Sequence, residues 1–281
     1  MAVHVRMKNM VDVAVVTGSG GSGCGRAVAT RFAARGAQVV ISDINDDGGN
    51  ETVRLIEKSG GTAAFFHADV GEERQARDLI SFAEQRFGHV SVLINNATEV
   101  YPNADGLQGW RGSLQTDLMG TLYATQWAIE SMRRGSGGAI VNMASMSALW
   151  HGRRTPGGSP GYDVAKLGVI RLTTNLSRAI PDPNIRMNCL APGWIASDAP
   201  RQYWELLTPA ERLKNGVPSC LIAVEDVAQM VERLATDQSL NGRIVVWWSE
   251  DFPRLIQWGD RGYRNVEEMP ALPSTTSNVH G

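Results

Sequence analysis

Val11-Asp12-Val13-Ala14-Val15-Val16, a valine-rich run with one polar member, passes straight into Thr17-Gly18-Ser19-Gly20-Gly21-Ser22-Gly23-Cys24-Gly25. A short apolar run bounded by glycine reads as a buried parallel strand. Ala27, Val28, Phe32 and Ala33 then mark one face of a helix, and Gly36 stands where a C′ glycine closes it. Gln38 to Ser42 reads as a second strand and ends on Asp43. A glycine cluster alone is often only a flexible loop. Strand, glycine turn, helix, strand and acid together follow the order of a dinucleotide-binding unit. Glycine lets the backbone approach a pyrophosphate closely, and the helix N-terminus behind it offers amide donors and the positive end of a dipole. The Asp43 carboxylate can accept both hydroxyls of an adenosine ribose, and it repels a 2′-phosphate. The basic residues that would hold such a phosphate are missing from Ser19 to Ser22 and from Ile44 to Asp46, so NAD is the expected cofactor.

The same alternation continues along the chain. Thr52 to Ser59 is a helix candidate stopped by Gly60-Gly61, and Ala63 to His67 is a strand ending at Asp69. Ala76, Leu79, Ile80, Ala83 and Phe87 keep a helical period before Gly88, and Val90 to Ile94 is a strand ending at Asn95-Asn96-Ala97. The spacing predicts one long helix through Leu114, Leu118, Leu122, Thr125, Ile129 and Met132. Ala139 to Met143 is the next strand, ending at Ala144-Ser145, and Ile185 to Leu190 follows the Tyr162 helix and ends in Ala191-Pro192-Gly193. A helix near Glu225 to Leu234 and a strand at Arg243 to Trp247 close the series. Seven strands alternating with helices predict an α/β fold with a doubly wound parallel sheet, because parallel neighbours need helical crossovers. Residues 1–250 read as a single domain without an internal linker. Residues 251–281, polar and carrying Pro253, Pro270 and Pro273, read as an irregular C-terminal arm.

The 281 residues suffice for one large α/β domain, and 43% hydrophobic with 20% charged residues is ordinary soluble composition. A formal net charge of −2 gives no basic field for nucleic acid or anionic membrane. The three cysteines, Cys24, Cys189 and Cys220, lie far apart with no Cys-x-x-Cys pair, so neither a disulfide framework nor a metal site is expected. No stretch approaches a membrane span, and MAVHVRMKNM at the start lacks the apolar core of a signal peptide. The expected location is cytoplasmic.

Tyr162-Asp163-Val164-Ala165-Lys166 places a Tyr and a Lys at i,i+4, one above the other on a helix face continued by Val169, Leu172, Leu176 and Ala179. An ammonium beside a phenol favours the phenolate and pulls its pKa down from about 10, towards general acid–base use near neutrality. Most such pairs are only a helix face. Ser145 stands at the C-terminal end of a central strand, where open α/β sheets bind ligands, and its hydroxyl can hold a substrate oxygen.

Taken in order, these motifs resemble the classical short-chain dehydrogenase/reductase family over roughly residues 10 to 250. The match consists of Thr17-Gly18…Gly23-Cys24-Gly25, Asp43, Asp69-Val70, Asn95-Asn96-Ala97, Ser145, Tyr162 and Lys166, and Pro192-Gly193. The resemblance implies a Rossmann-like fold and an NAD(H)-dependent alcohol dehydrogenase or ketoreductase, exchanging hydride with a secondary alcohol or ketone. It makes Tyr162 the acid/base and Ser145 the residue that orients the substrate oxygen. Lys166 then binds the nicotinamide ribose and lowers the Tyr162 pKa. Gly18, Ser22, Gly23 and Cys24 meet the pyrophosphate, Asp69 and Val70 flank the adenine, and Asn96 lies along the cofactor. Ile195 and Ser197 meet the carboxamide. Family members usually assemble as homotetramers, with a homodimer as the smaller alternative.

The chain departs from the family pattern in several places. Its glycine turn is one residue longer than usual, and Asp117 stands where the family usually carries a catalytic Asn. The Gly of Asn-Asn-Ala-Gly is Thr98, and Trp247-Trp248-Ser249-Glu250 replaces the usual Asp-Gly-Gly. Between Ser145 and Tyr162 the chain carries Trp150, His151, Arg153 and Arg154; the arginines read either as a carboxylate site or, more simply, as solvated surface. Trp194 and Tyr203-Trp204 fall in the expected substrate lid, residues 194–220. The eight tryptophans read either as the walls of a site for an apolar, cyclic or aromatic substrate, or as core and subunit-interface residues. Two other functions compete: a catalytically silent NAD-binding regulator, which needs a broken triad, and an epimerase or dehydratase, which needs a separate C-terminal substrate domain.

Overall fold

The valine-rich run forms strand β1 (Val13–Thr17), buried along its whole length. The computed structural model describes residues 11–99, 110–150, 159–180 and 182–260. Successive side chains of a strand point to opposite faces. Ala14 and Val16 therefore join one core with Val39, Ile41, Val28 and Phe32, while Val15 joins a second core with Val40, Leu93, Leu79 and Met132. A strand apolar on both faces needs helices on both sides, and the chain supplies them. Helices α1 (Cys24–Ala34), α2 (Asp46–Lys58) and α9 (Val224–Thr236) contribute to the first core. Helices α3 (Glu73–Phe87) and α5 (Thr121–Arg134) contribute to the second. Each fully buried Leu, Ile or Phe in these layers is worth about 1.5–3 kcal/mol over leaving it exposed.

The strands β2 (Gln38–Asp43), β3 (Thr62–His67), β4 (Val92–Asn95), β5 (Gly138–Met143), β6 (Ile185–Pro192) and β7 (Ile244–Trp247) lie parallel to β1 in the order 3-2-1-4-5-6-7. The strand order reverses between β1 and β4, which is where such sheets bind ligands. An eighth strand corrects the expected count of seven. β8 (Arg254–Leu255) runs antiparallel beside β7, pairing Val246 with Arg254 and Val245 with Leu255. The polar segment after Trp248 thus turns back to cover the sheet edge, which a parallel-strand pattern does not reveal. Residues 261–281 of the expected arm, and His151, Arg153 and Arg154, lie outside the described residues.

Two helices differ from their sequence boundaries for physical reasons. Helix α2 starts at Asp46 rather than Thr52 and runs through Gly48 and Gly49, with the Asn45 side chain capping Gly48 N at 3.0 Å. A Cβ on Gly48 would stand 2.2 Å from Gly20 O, and one on Gly49 2.1 Å from Phe65. The glycines that look like a turn are needed for close packing. The expected long helix at Leu114 is instead a short helix α4 (Trp110–Ser113), a π-helical turn (Leu114–Gly120) and then α5. Asp117 sits within that π-helical turn. No helix of the described residues is long and apolar enough to cross a membrane.

Candidate active site

The C-terminal strand ends bring the expected residues to one edge of the sheet. Gly18, directly after β1, has φ +64°, and a Cβ there would meet the Ala97 backbone at 2.6 Å. Only glycine fits both demands. The Asn96 amide donates to Gly18 O (2.8 Å) and Thr17 O (3.1 Å), while Thr17 Oγ1 accepts from Asn96 N and Ala97 N. Asn96 thus acts as a brace for the glycine turn.

Helix α1 begins behind this turn without a side-chain cap and without an acid in its first turn. Its first amides are left to an anion. Asp43, at the end of β2, accepts from Gly20 N at 2.7 Å and from Asn45 N at 3.0 Å. A carboxylate offers about four acceptor positions, so two are free for ribose hydroxyls. The guanidinium nearest this turn, Arg26, is committed to Gly20 O, Gly48 O and Thr52 Oγ1. Open helix amides with a carboxylate beyond them fit an adenine dinucleotide. Asp69 turns inward, accepting from Gly71 N at 2.9 Å, beside buried Val70. Ser22 hydrogen-bonds Asp198 on helix α7 (Asp198–Leu206), so it meets that helix rather than pointing freely into the turn. Ser197, the residue before α7, also reaches the turn: its Cβ lies 3.4 Å from where a Gly23 Cβ would be. Ile195 bridges to Ile222. Burial pushes the Cys24 thiol up to about 12, so its sulfur stays neutral and only its backbone faces the turn's chemistry.

Helix α6 (Pro160–Ala179) carries the Tyr and the Lys. Ser159 caps it, accepting from Tyr162 N at 3.3 Å, and Pro160 occupies the first helical position. Lys166 Nζ lies 5.3 Å from the Tyr162 ring centroid. It donates to Met143 O at 3.1 Å and pairs with Asp117 Oδ1 at 2.8 Å. Lys166 and Asp117 are both buried. Asp117 also accepts from Thr98 Oγ1 at 2.5 Å and from Glu99 N at 3.3 Å. Two departures from the family pattern therefore meet in one contact, the Thr98 hydroxyl satisfying the Asp117 carboxylate.

These contacts change the expected electrostatics. Burial pushes the Tyr162 phenol above its ordinary value; Lys166 pulls it down, but Asp117 pushes it up again, and a hydrogen bond from Ser145 lowers it only in part. Burial alone would depress Lys166, but Asp117 and Tyr162 outweigh it and hold the ammonium above its usual range. Lys166 does act on Tyr162 in the expected direction, yet the phenol is not brought near neutrality because burial outweighs the ammonium and the Asp117 carboxylate opposes it.

Ser145 lies two residues past the end of β5 and caps the 3-10 turn Met146–Leu149, accepting from Ser147 N at 3.2 Å. Its hydroxyl is 3.0 Å from that of Ser147. Ser147 and Asp163 were not singled out by sequence, since a Ser near a turn and an Asp in a first helical turn look ordinary. Asn142 was also missed. It links Asn95 (2.8 Å) to Thr173 (2.9 Å) beneath the site, and its signal is an amide inside a buried strand.

The large aromatics of this half of the chain divide. Trp194 stacks on Tyr203 at 5.9 Å, and Trp150 lies 4.9 Å from Trp248. Trp204 instead donates to Pro218 O and carries the guanidinium of Arg212, on helix α8 (Pro209–Asn215), 3.3 Å over its ring. Trp258 sits between Arg178 and Arg243, towards the far end of α6 from Tyr162. Among the described residues no group of three or more His, Cys, Asp or Glu is placed to hold a metal ion.

The family model described as short chain dehydrogenase matches residues 12–206. The chain is 32% identical over 231 residues to a cyclohexanol dehydrogenase of Acinetobacter sp. (strain SE19), covering 81% of this chain and 88% of that one. It is 31% identical over 188 residues to the 7alpha-hydroxysteroid dehydrogenase of Escherichia coli (strain K12), covering 66% and 72% respectively. The crystal structure of levodione reductase superposes with a TM-score of 0.74 at 26% identity, over 84% of this chain and 95% of that one. With that family model spanning residues 12–206, and with relatives of this identity over most of its length, the chain belongs to the short chain dehydrogenase family of oxidoreductases.

Proposed function

We propose that the protein is an NAD(H)-dependent dehydrogenase or ketoreductase acting on a secondary alcohol or its ketone, with an apolar, cyclic or aromatic carbon skeleton. The observation that carries this is the convergence of Ser145, Tyr162 and Lys166, held between β5 and α6 beside a glycine turn. The bound dinucleotide supplies or accepts the hydride. Tyr162 gives its proton to the carbonyl oxygen in reduction and takes it from the hydroxyl in oxidation. Ser145 holds the same oxygen. Lys166 keeps the phenol poised and offers its ammonium to a ribose hydroxyl, while Met143 O and Asp117 fix its position. We assign Gly18, Ser22, Gly23 and Cys24 to the pyrophosphate, Asp43 to the adenosine ribose, and Asp69 and Val70 to the adenine. Asn96, Ile195 and Ser197 belong with the nicotinamide half.

NAD is preferred to NADP because Asp43 would face a 2′-phosphate with no free guanidinium beside it among the described residues. The Trp194–Tyr203 and Trp150–Trp248 pairs support an aromatic-walled substrate site, as do relatives named for cyclohexanol and a hydroxysteroid. Val164 and Leu167, each 44% exposed on α6, support assembly into a homotetramer or homodimer through that helix. Three free cysteines fit a reducing, cytoplasmic setting.

The test is Tyr162→Phe, assayed on a panel of cyclic and aromatic secondary alcohols with NAD⁺. Turnover should vanish while NADH binding stays near that of the parent. Retained turnover would remove Tyr162 from the role of acid/base.

A further inference from the structure

Thr98 takes no part in the chemistry assigned so far, yet it holds the charge that stands behind the acid/base. The segment leaving β4 is stapled to the π-helical turn at two successive residues. Thr98 Oγ1 donates to Asp117 Oδ1 at 2.5 Å, and Glu99 N donates to Asp117 Oδ2 at 3.3 Å. Thr116 Oγ1 donates back to the Glu99 carboxylate at 3.0 Å. Asp117 Oδ1 also pairs with Lys166 Nζ at 2.8 Å, and the Asp117 side chain is buried.

The direction of the Thr98 bond is fixed by its partner. A carboxylate only accepts, and a hydroxyl has a single proton, so Thr98 gives that proton to Oδ1. Such a charge-assisted bond is about twice as strong as one between neutral groups. A glycine at position 98, as in the family pattern, would offer the carboxylate no side-chain donor. The two departures from that pattern therefore compensate: Asp117 adds a buried charge and Thr98 adds a donor aimed at it.

We propose that Thr98 is a positioning residue for the acid/base: its hydroxyl holds the Asp117 carboxylate in place and offsets part of the negative charge that Asp117 turns on Lys166 and Tyr162. This rests on Tyr162 and Lys166 being the acid/base pair. Without the hydroxyl, Lys166 is the one donor left on Oδ1 among the described residues, and more of the carboxylate's field reaches the phenol. Asp117 already pushes Tyr162 up against the pull of Lys166, so loss of Thr98 acts in the same upward direction. The other groups around this charge are few. Glu99 is held by Thr116, and Asp163 on α6 adds a smaller upward push on Tyr162. Burial pushes the Cys189 thiol on β6 up to about 12, so it stays neutral, and Arg111 on α4 is exposed.

The test reads the phenol itself, in the full chain without substrate. Stopped-flow pH jumps followed by tyrosinate absorbance, with Tyr162→Phe run alongside as the blank, isolate the ionisation of Tyr162 before the fold responds to alkali. Thr98→Val keeps the shape and removes the donor. It should move the Tyr162 titration about one unit towards alkali, the size expected for one lost hydrogen bond to a charged group. Thr98→Ala should give the same shift, and it carries the test if the valine variant does not fold. Thr98→Ser keeps the hydroxyl and should titrate with the parent. In an Asp117→Asn background Thr98→Val should move nothing, because the charge it acts through is gone. A titration unmoved by loss of the hydroxyl, or moved equally with and without the Asp117 charge, overturns the inference; a role in packing alone would lower the melting temperature and leave the titration in place. Turnover judges the other level: an active Tyr162→Phe overturns the proposed function, whereas the phenol titration judges Thr98 independently of any substrate.

Discussion

Asp117 Oδ1 stands 2.8 Å from Lys166 Nζ with both side chains buried, so the ammonium that should favour the Tyr162 phenolate faces a carboxylate instead. The site therefore holds its phenol protonated to higher pH than an ammonium alone would allow. Oxidation needs the phenolate, so its rate should climb with pH through a raised pKa. Reduction needs the phenol and should persist until the same pKa is passed. Asp117→Asn removes one negative charge while keeping the shape. The Tyr162–Lys166 pair should then release its first proton at lower pH, whichever of the two holds it. The oxidation limb of kcat/KM should move about 1–2 units towards acid, the size expected for one nearby charge. An unmoved limb would mean that Asp117 has no hold on the pair.

Asp43 makes a cofactor prediction. Its carboxylate is already oriented by Gly20 N and Asn45 N, so ribose hydroxyls would meet a fixed acceptor. Asp43→Ser keeps a small acceptor and removes the charge. Affinity for NADH should drop about 10- to 100-fold, the worth of charge-assisted hydrogen bonds, and NADPH should gain on it. Titration of both cofactors by fluorescence checks this, and an unchanged NADH to NADPH ratio would take Asp43 out of the ribose site.

Arg186 makes a stability prediction. Buried on β6, it donates to Leu234 O, Asp237 O, Leu240 O and Ala235 O, which gathers the orphan carbonyls at the end of α9. Arg186→Met fills a similar volume and leaves those carbonyls bare. Unfolding free energy should fall by about 2–4 kcal/mol, since a buried unsatisfied group costs about 1–3 kcal/mol and only some will find water. Denaturant midpoints measure it, and turnover per folded molecule should be unchanged because Arg186 stands at the start of β6, at the opposite end of the strand from the site.

The sequence made the sheet legible because β1, β2, β4 and β5 each carry a run of three or more apolar residues that ends on a polar one, and burial on both faces demands that pattern. It hid β8, whose two exposed residues, Arg254 and Leu255, are too few to show an alternation and pair along the open edge of β7. Lys166 and Tyr162 were legible from spacing. Their balance was not, since it depends on Asp117 at the bottom of a π-helical turn, and a one-dimensional period cannot register that extra residue. Ser147 was hidden for another reason: it is unremarkable alone, and only the 3-10 turn after β5 brings its hydroxyl to 3.0 Å from that of Ser145.

The glycine turn makes a paired prediction, because two of its glycines have opposite surroundings. A Cβ on Gly25 would stand 2.2 Å from Gly18 O and 2.8 Å from Ser19 Cα, backbone that cannot yield without moving the turn away from α1. A Cβ on Gly21 would meet nothing within 4 Å. Gly25→Ala should therefore displace the amides assigned to the pyrophosphate and weaken NADH binding by at least an order of magnitude, at a stability cost of about 1–3 kcal/mol for overpacking. Gly21→Ala should melt with the parent or slightly above it, since removing a glycine restricts the unfolded chain by about 0.4–1 kcal/mol. Calorimetric melting of both variants, with and without NADH, separates the two effects. If Gly25→Ala bound NADH as the parent does, the close approach of Gly25 to Gly18 would be packing alone, and the pyrophosphate would have to be held elsewhere on the turn.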